Sequence, residues 1–227
     1  MLEEERMAAY LHSLDQPLSE PLSMLYQRAV EEEVPVIRPS TQSLLKYLMI
    51  AHHPKHILEV GCAVGFSALL MAETAGESVQ ITTIEKVPDK IKKAKENFAN
   101  LDVNSQISLL EGDAADVLLV LMEKGETYDF IFMDAAKAQY IHFLPMVKKL
   151  LTEGGLLVSD NVLQDGSVIE SKFTITRRDR TIHSRMREYL YAITHDDALT
   201  TVILPMGDGV SLSVKETKER TEKDAHA

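Results

Sequence analysis

Side chains with oxygen ligands follow two neighbouring apolar runs of this sequence. Asp134-Ala-Ala-Lys137 comes after one run, and Asp160-Asn161 comes directly after the next. The carboxyl ends of neighbouring strands in a doubly wound sheet meet at one crevice, where ligands bind. Two carboxylates and an amide, with no cysteine or convincing histidine partner, suit a hard cation such as Mg²⁺. We therefore predict that Asp134, Asp160 and Asn161 hold Mg²⁺ or another hard divalent cation, although each residue alone could be a helix cap or a turn former.

A glycine turn and two further acids indicate a second site at the same edge. The turn from Gly61 to Gly65 lets a ligand approach the backbone before a helix N-terminus, although a plain strand-to-helix turn would look the same. Its G-x-x-x-G spacing is wider than the dinucleotide fingerprint. Glu85 ends the second apolar run, where an acid reaches ribose hydroxyls in Rossmann-type sites or is simply solvated. Asp113 follows the third run, where it could accept from an adenine amine, cap the next helix, or do both.

The elements that must position these residues alternate along the chain. Short β-branched runs separated by helical patterns are typical of βαβ units and a mostly parallel sheet. Strands are predicted at 55–61, 80–85, 106–110, 128–134 and 155–159, with helices between them at 66–74, 88–99, 115–123 and 139–151. Two closing runs, 200–205 and 210–214, flank the turn-like Met206-Gly-Asp-Gly209. They predict a final hairpin, which gives the sheet one antiparallel strand.

Three helical segments precede the first strand, at 3–13, 20–33 and 41–51. Pro35 and Pro39 mark the break between the last two. We predict that residues 1–52 form a helical cap over one edge of a single α/β domain that spans residues 53–215. Residues 216–227 are nearly all charged or small, so we expect them to form a disordered tail.

Size and composition predict a cytoplasmic protein of one domain. The chain has 227 residues, 45% of them hydrophobic, and no apolar run long enough to cross a bilayer. Its first residues are acidic where a secretory signal is basic, and its one cysteine, Cys62, cannot form an intramolecular disulfide. A formal net charge of −11 argues against a surface adapted throughout to polyanions. Any nucleic-acid surface must therefore be local.

From about Val34 to Val214 the chain resembles the metal-dependent O-methyltransferases that include the catechol and caffeoyl-coenzyme A enzymes. The resemblance rests on the motifs quoted above. It implies a Rossmann-like class I methyltransferase fold with a seven-stranded sheet, a homodimer, and S-adenosyl-L-methionine as the methyl donor. The metal ligands of the family correspond to Asp134, Asp160 and Asn161. Its cofactor site corresponds to Val36, Ile37, Glu59, Gly61, Ser67, Glu85, Gly112, Asp113, Ala114 and Asp134.

The predicted chemistry needs an ionised acceptor oxygen in line with an activated methyl group. A hydroxyl beside a divalent cation loses its proton more easily, and a neighbouring amine can take that proton. The resemblance assigns this catalytic role to Lys137 of the D-x-x-K motif, which begins at Asp134. Two vicinal oxygens would chelate the cation best, as in a catechol or in O4 and O5 of 5-hydroxyuridine. An acid of the catechol enzymes is replaced here by Ser211, which argues against a simple catechol.

Three segments narrow the choice of substrate through a closer resemblance. Residues 132–140, 160–163 and 205–209 resemble bacterial tRNA 5-hydroxyuridine methyltransferases, although Ala138 departs from the glycine expected there. That resemblance implies conversion of 5-hydroxyuridine to 5-methoxyuridine at the wobble position of tRNA. Two alternatives stay open: a small-molecule catechol or caffeoyl-CoA-type enzyme, and a non-catalytic cofactor-binding module. The intact metal and lysine positions disfavour the module.

A basic segment from Lys172 to Arg187 favours the RNA substrate. It carries six lysines and arginines against one aspartate on an otherwise acidic chain. We predict RNA contacts by Lys172, Arg177, Arg178, Arg180 and Arg185. The arginines could instead be the solvated face of an amphipathic helix, because an apolar stripe recurs at Ile182, Met186, Tyr189, Leu190 and Ile193. We expect His183 and His195 at the surface.

Overall fold

The computed structural model describes residues 2–102, 104–171 and 173–217, which form eight α-helices and seven strands. The helices are α1 (Leu2–Ser13), α2 (Glu20–Glu31), α3 (Pro39–His52), α4 (Phe66–Ala75), α5 (Pro88–Leu101), α6 (Ala114–Glu123), α7 (Tyr140–Leu150) and α8 (Arg180–Thr194). The strands are β1 (His56–Val60), β2 (Gln80–Glu85), β3 (Ile107–Glu111), β4 (Tyr128–Met133), β5 (Leu151–Ser159), β6 (Leu199–Leu204) and β7 (Val210–Lys215). Short 3₁₀ helices lie at Lys137–Gln139 and Gln164–Ile169.

The seven strands form one sheet in the order β3-β2-β1-β4-β5-β7-β6. Neighbouring strands from β3 to β5 are parallel, whereas β7 runs antiparallel to both β5 and β6. The predicted mostly parallel sheet with one antiparallel strand is confirmed. The order reverses between β1 and β4, so a ligand crevice is expected beyond the carboxyl ends of these two strands.

Helices α2 and α3 belong to one of the two apolar layers that cover the sheet. Leu25 of α2 and Met49 of α3 share a buried cluster with Phe66 of α4 and Phe130 of β4. Helices α6 to α8 cover the opposite face. Helices α2 and α3 therefore pack with α4 in the layer on this sheet face, because their apolar sides find buried partners there. The predicted division into a helical cap at 1–52 and a domain at 53–215 stays a prediction.

Several predicted boundaries shift in the structure, most of them by one or two residues. Strand β5 begins at Leu151 instead of 155, because Leu151 already pairs with Tyr128 before the register shifts to Phe130 opposite Leu156. The chain also stays attached beyond β7, where the backbone N–H of Glu216 donates to the carbonyl oxygen of Ala198 at 2.9 Å. The rest of the predicted tail, from residue 218, lies outside the described residues.

Helix α8 buries three residues of the stripe that the sequence predicted, while Ile182 and Leu190 are half-buried. Met186, Tyr189 and Ile193 are completely buried against the sheet layer. The prediction of a surface position for His183 is wrong, since this residue is 3% exposed and its Nε2 lies 3.0 Å from the carbonyl oxygen of Glu170. His183 precedes Met186 by three residues and thus shares its helix face. Within the described ranges, no helix has the length and apolar character needed to span a membrane.

Candidate active site

A crevice of about 480 Å³ opens at the carboxyl ends of β1 to β4. The loop before α3 and the glycine turn after β1 form parts of its wall. Further lining residues that the sequence did not single out are Lys86, Lys90 and Phe143, which carry no local motif. Gln139, which also lines the crevice, lies in the 132–140 segment but had no predicted role. The structure brings together here all but one of the predicted cofactor residues: Val36, Ile37, Gly61, Ser67, Glu85, Gly112, Asp113, Ala114 and Asp134.

Gly61 allows the carboxyl ends of β1 and β4 to approach each other closely. Its φ is +107°, and a Cβ atom placed on it would lie 2.0 Å from the backbone carbonyl oxygen of Asp134. Any side chain at this position would push the two strand ends apart. A glycine is therefore needed at position 61 to keep Asp134 at its place in the crevice. A plain strand-to-helix turn would not need a glycine for this reason.

Glu85 is held at the crevice by three backbone N–H groups. Its Oε2 accepts from Ala63 at 2.8 Å, and its Oε1 accepts from Lys86 at 2.8 Å and from Val87 at 2.9 Å. The residue is only 8% exposed. Because a carboxylate offers about four lone-pair positions, Glu85 can still accept from a ligand hydroxyl. It is a fixed acceptor and not the solvated carboxylate of the alternative interpretation.

Asp113 caps α6 and also lines the crevice. Its Oδ1 accepts from the backbone N–H of Ala115 at 3.0 Å, and its Oδ2 accepts from Nζ of Lys86 at 3.1 Å. These two bonds, the one from Ala115 first, lower the pKa of Asp113. Of the two predicted roles the helix cap is present, while the contact with an adenine amine stays a prediction.

Glu59 is the one predicted cofactor residue that does not line the crevice. It is completely buried, and its two oxygens accept hydrogen bonds from the hydroxyls of Ser67 and Thr83. Burial above all raises the pKa of Glu59 to about 7; these hydrogen bonds oppose the shift, and the charges of Asp134 and Glu85 add to it. Its position is a correction to the prediction: Glu59 lies behind the wall and is hydrogen-bonded to Ser67, which lines the crevice.

The three predicted metal ligands converge at the ends of β4 and β5. Nδ2 of Asn161 donates to Oδ1 of Asp134 at 2.9 Å, and the backbone N–H of Asn161 donates to Oδ1 of Asp160 at 2.8 Å. Burial raises the pKa of Asp134, and burial together with the charge of Asp134 raises that of Asp160 to about 7. Across the described ranges, no three His, Cys, Asp or Glu side chains form a metal-binding group. A cation here would thus depend on two carboxylates and the amide oxygen of Asn161.

The side chain of Lys137 forms an ion pair that the sequence analysis did not predict. Its Nζ lies 2.8 Å from Oδ2 of Asp208, whose side chain is 3% exposed. Asp208 lies in the turn between β6 and β7. This turn is bonded to the segment after Asn161, since the carbonyl oxygen of Asp208 accepts from the N–H of Leu163 at 2.9 Å. The only local sequence signal for this ion pair was the position of Asp208 between Gly207 and Gly209.

Two further residues support Asp160 and were also missed. The hydroxyl of Thr41 donates to Oδ1 of Asp160 at 3.4 Å. The phenol oxygen of Tyr140 lies 2.9 Å from the backbone carbonyl oxygen of Asp160 and 3.1 Å from that of Met133. Tyr140 thereby joins the ends of β4 and β5, which carry the carboxylates. Both contacts span distant parts of the chain, so no sequence spacing indicates them.

The basic segment borders a second cleft, of about 340 Å³, which Lys137 also lines. Thr174, Ile175 and Thr176 form part of its wall. The neighbouring residues Arg177, Arg178 and Arg180, predicted to contact RNA, are exposed. Arg185 differs from them, because it is half-buried and its Nη1 donates to the carbonyl oxygen of Ala138 at 3.3 Å. Lys172 lies outside the described residues.

Ser211 does not reach either cleft. It is completely buried in β7, opposite Ser159 of β5. Neither the cofactor crevice nor the cleft beside Lys137 includes it among its lining residues. The sequence argument that Ser211 disfavours a catechol therefore finds no direct contact to support it.

The crevice lies where the strand order reverses, and the glycine turn and the acids stand at the ends of successive strands around it. These features define a nucleotide-type site on a Rossmann-like sheet. A lysine and two carboxylates lie beside this site. The O-methyltransferase family model matches residues 11–216, and the chain belongs to this family. The predicted class of enzyme is confirmed. The third hypothesis, a non-catalytic module, is set aside.

Individual relatives agree with this assignment. A catechol O-methyltransferase of Niastella koreensis is 32% identical over 139 residues, which are 61% of this chain and 63% of that protein. The crystal structure of a Staphylococcus aureus protein assigned as a caffeoyl-CoA O-methyltransferase matches with a TM-score of 0.82 and 29% identity, over 95% of this chain and 100% of that one. The O-methyltransferase TomG of Streptomyces achromogenes, solved with SAM, matches with a TM-score of 0.82 and 24% identity, over 96% and 100%. The predicted class I methyltransferase fold is confirmed.

Proposed function

We propose that this protein transfers the methyl group of S-adenosyl-L-methionine to the 5-hydroxyl of 5-hydroxyuridine at the wobble position of tRNA, which yields 5-methoxyuridine. The observation that carries the substrate is the position of the basic segment beside Lys137. Arg177, Arg178 and Arg180 are exposed next to the cleft that this lysine lines. Phosphates of an anticodon loop would meet these arginines while an unstacked base enters the cleft.

The crevice beyond β1 to β4 is the proposed cofactor site. Glu85 offers a fixed acceptor for ribose hydroxyls, and Asp113 lies at the neighbouring strand end. TomG, which has the same fold, was solved with SAM bound. S-adenosylmethionine supplies an already activated methyl group. The chain has only to orient this methyl group and to exclude water from the reacting atoms.

The donor set at the ends of β4 and β5 fits a hard divalent cation. Asp134 and Asp160 place two like charges side by side, and their raised pKa values reflect the cost of burying both. A cation would relieve this repulsion, and the amide oxygen of Asn161 completes three oxygen donors. Bound Mg²⁺ would supply Lewis-acid stabilisation of the ionised acceptor oxygen.

Lys137 is the proposed base. In the free protein its ammonium forms the ion pair with Asp208, which keeps this flexible side chain beside the carboxylates. The ammonium must first release a proton to solvent, and the neutral Nζ then takes the proton of the acceptor hydroxyl. Tyr140 and Thr41 hold Asp160 in place during the reaction. These groups act by position and charge, which is what an activated methyl donor requires.

A small-molecule catechol or caffeoyl-CoA-type substrate is the second candidate. The Niastella koreensis relative, named a catechol O-methyltransferase, favours it. The position of Ser211 within the sheet also removes one argument against it. The two candidates differ in what the exposed arginines do, because a small acceptor gains nothing from distant phosphate contacts.

The first experiment compares acceptors directly. Purified protein with labelled S-adenosylmethionine and Mg²⁺ is offered tRNA that carries 5-hydroxyuridine, beside a panel of catechols and caffeoyl-CoA. We expect the tRNA to be methylated with the higher kcat/KM. Turnover of the small acceptors combined with failure on this tRNA would favour the second candidate.

A second experiment tests the basic segment. Arg177→Glu with Arg178→Glu should weaken tRNA binding and reduce its salt dependence by about one unit of log–log slope for each lost phosphate contact. Arg185 is left intact, because it holds the carbonyl of Ala138. The matched control is Lys124→Glu with Lys149→Glu, which changes net charge equally on exposed residues at the far ends of α6 and α7. Equal tRNA binding by both double variants would make the arginines only a solvated face.

A further inference from the structure

Gln164 forms part of the wall of the cleft beside Lys137. It is the first residue of the 3₁₀ helix that follows the Asp160-Asn161 motif. Ser167 of the same helix lines the cleft as well, and Thr174 and Thr176 approach from the segment before α8. Four of the eight residues that line the cleft are thus uncharged and polar, and the other four are Lys137, Asp179, Ile175 and Ile182. This mixed wall offers hydrogen bonds to a polar ring.

The amide of Gln164 has an unused donor. Its Nε2 is shielded from solvent and has no hydrogen-bond partner among the residues that the structure describes. Its Oε1 accepts only weakly, from Oγ of Ser167 at 3.4 Å. Buried donors are almost always paired, so an unpaired one needs an explanation. Gln164 lines the cleft, so a rotation of its side chain that turns the amide toward a bound ligand would give Nε2 the partner that the free protein does not provide.

The backbone at Gln164 is in an unfavourable conformation that its neighbours maintain. Its φ is +53°, a region that residues other than glycine seldom adopt. The preceding Leu163 is fixed by its N–H bond to the carbonyl oxygen of Asp208 and packs directly over Gly209, where a Cβ atom would lie 2.2 Å from its side chain. Backbone strain of this kind collects at functional sites. The turn that positions Asp208 therefore also positions the glutamine.

We propose, on the basis of the proposed function, that Gln164 selects a pyrimidine acceptor by pairing with its imide edge. Nε2 donates to a ring carbonyl oxygen, and Oε1 accepts from the adjacent ring N–H. A glutamine amide carries a donor next to an acceptor. The imide edge presents the complementary pair, a carbonyl acceptor next to an N–H donor. A catechol shares the vicinal oxygens of 5-hydroxyuridine but has no imide. Gln164 thus separates the two classes of acceptor.

The unpaired donor of Gln164 predicts an effect on the stability of the folded protein. Gln164→Met keeps the length of the side chain and removes the unpaired donor. Replacing an unsatisfied buried polar group by an apolar group of similar shape is neutral or stabilising. We expect the Tm of the variant to be unchanged or higher. A residue that served the fold alone would show the opposite result.

The test compares two acceptors in each variant. Wild type, Gln164→Met, Gln164→Glu and the control Gln80→Met are assayed with 5-hydroxyuridine-containing tRNA and with catechol. Gln80 is exposed at the start of β2, at the opposite edge of the sheet. Both Gln164 variants should lose about 10- to 100-fold in kcat/KM for the tRNA relative to catechol, while the control keeps the wild-type ratio. Gln164→Glu removes the donor with almost no change of shape, so it remains informative if the methionine variant folds poorly.

The outcomes separate this inference from the function on which it rests. Failure of the wild-type protein to methylate 5-hydroxyuridine in tRNA would remove both the proposed function and the role of Gln164. A second outcome would overturn only the inference: the wild type methylates the tRNA, and both Gln164 variants keep the wild-type ratio of kcat/KM for the tRNA to kcat/KM for catechol. A clear drop in Tm for Gln164→Met with parallel losses on both acceptors would assign the residue to the fold.

Discussion

Lys137 and Asp208, 71 residues apart in the sequence, form an ion pair with 2.8 Å between Nζ and Oδ2. The carboxylate is almost completely buried, whereas about a third of the lysine side chain is exposed. The lysine has four flexible bonds, and fixing them costs conformational entropy. Asp208 therefore restricts the lysine to one region beside Asp134.

Asp208→Asn is expected to lower kcat about 10-fold, because the neutral amide fixes Lys137 less firmly. The dissociation constant of the cofactor should not change, since Asp208 does not line that crevice. Lys137→Ala should lower kcat roughly 10²–10⁴-fold and sets the scale for complete loss of the base. Steady-state kinetics with calorimetry of cofactor binding measures both effects. The control is Asp196→Asn, which breaks a remote ion pair with Lys148. Equal kcat values for the two aspartate variants would exclude the positioning role.

Gly61→Ala should prevent cofactor binding. The new Cβ would overlap the carbonyl oxygen of Asp134 at 2.0 Å, so the ends of β1 and β4 must separate. Gly125→Ala is a matched control, because Gly125 also has a positive φ, +72°, but no atom within 4 Å of its Cβ position. The control should lose only about 1–2 kcal/mol of stability through backbone strain. Calorimetry with S-adenosylhomocysteine and urea unfolding give the two readouts. Intact binding by a folded Gly61→Ala protein would contradict the assigned contact.

Glu59 should make the folded protein less stable as pH rises. Its pKa of about 7 in the folded state exceeds its ordinary value of 4.5, so between these values the folded state binds more protons than the unfolded state. The free energy of unfolding therefore falls as pH rises through this window, by up to ~3 kcal/mol for this group. Glu59→Gln should remove this part of the decline in urea unfolding measured at several pH values.

The control for this experiment is Glu77→Gln, on an exposed residue. It should follow the wild-type curve. Asp160, whose pKa is also raised to about 7, contributes a decline of its own, so the Glu59→Gln curve keeps a smaller slope. A Glu59→Gln curve parallel to that of the wild type would mean that Glu59 does not gain protons on folding.

Cofactor binding should survive removal of divalent cations. Glu85 and the glycine turn belong to β2 and β1, whereas Asp160 and Asn161 follow β5. Calorimetric titration of S-adenosylmethionine with and without a chelator should therefore give similar affinities. Glu85→Ala should weaken binding by about 1.5–3 kcal/mol through the loss of charged hydrogen bonds. Complete loss of binding in chelator would show that the two sites are one.

The sequence by itself determined the elements and the strand ends at which the site lies. Apolar periodicity states which face of a strand or helix is buried, so the seven strands and α8 could be predicted from local residues. Asp134, Asp160 and Glu85 could be predicted for the same reason, since a polar residue at the end of a buried strand, or directly after it, lies at the edge of the sheet.

Only the tertiary structure decided which of these side chains meet and which are buried behind the wall. Glu59 precedes the glycine turn by two residues, yet its side chain points between β1 and α4 and pairs with Thr83 of the neighbouring strand. Asp208 reaches Lys137 because the final turn folds back over the segment after β5. Contacts across 24 and 71 residues depend on how strands and helices pack together. No periodicity or spacing within one segment contains that information, because packing partners come from elements that are distant in sequence.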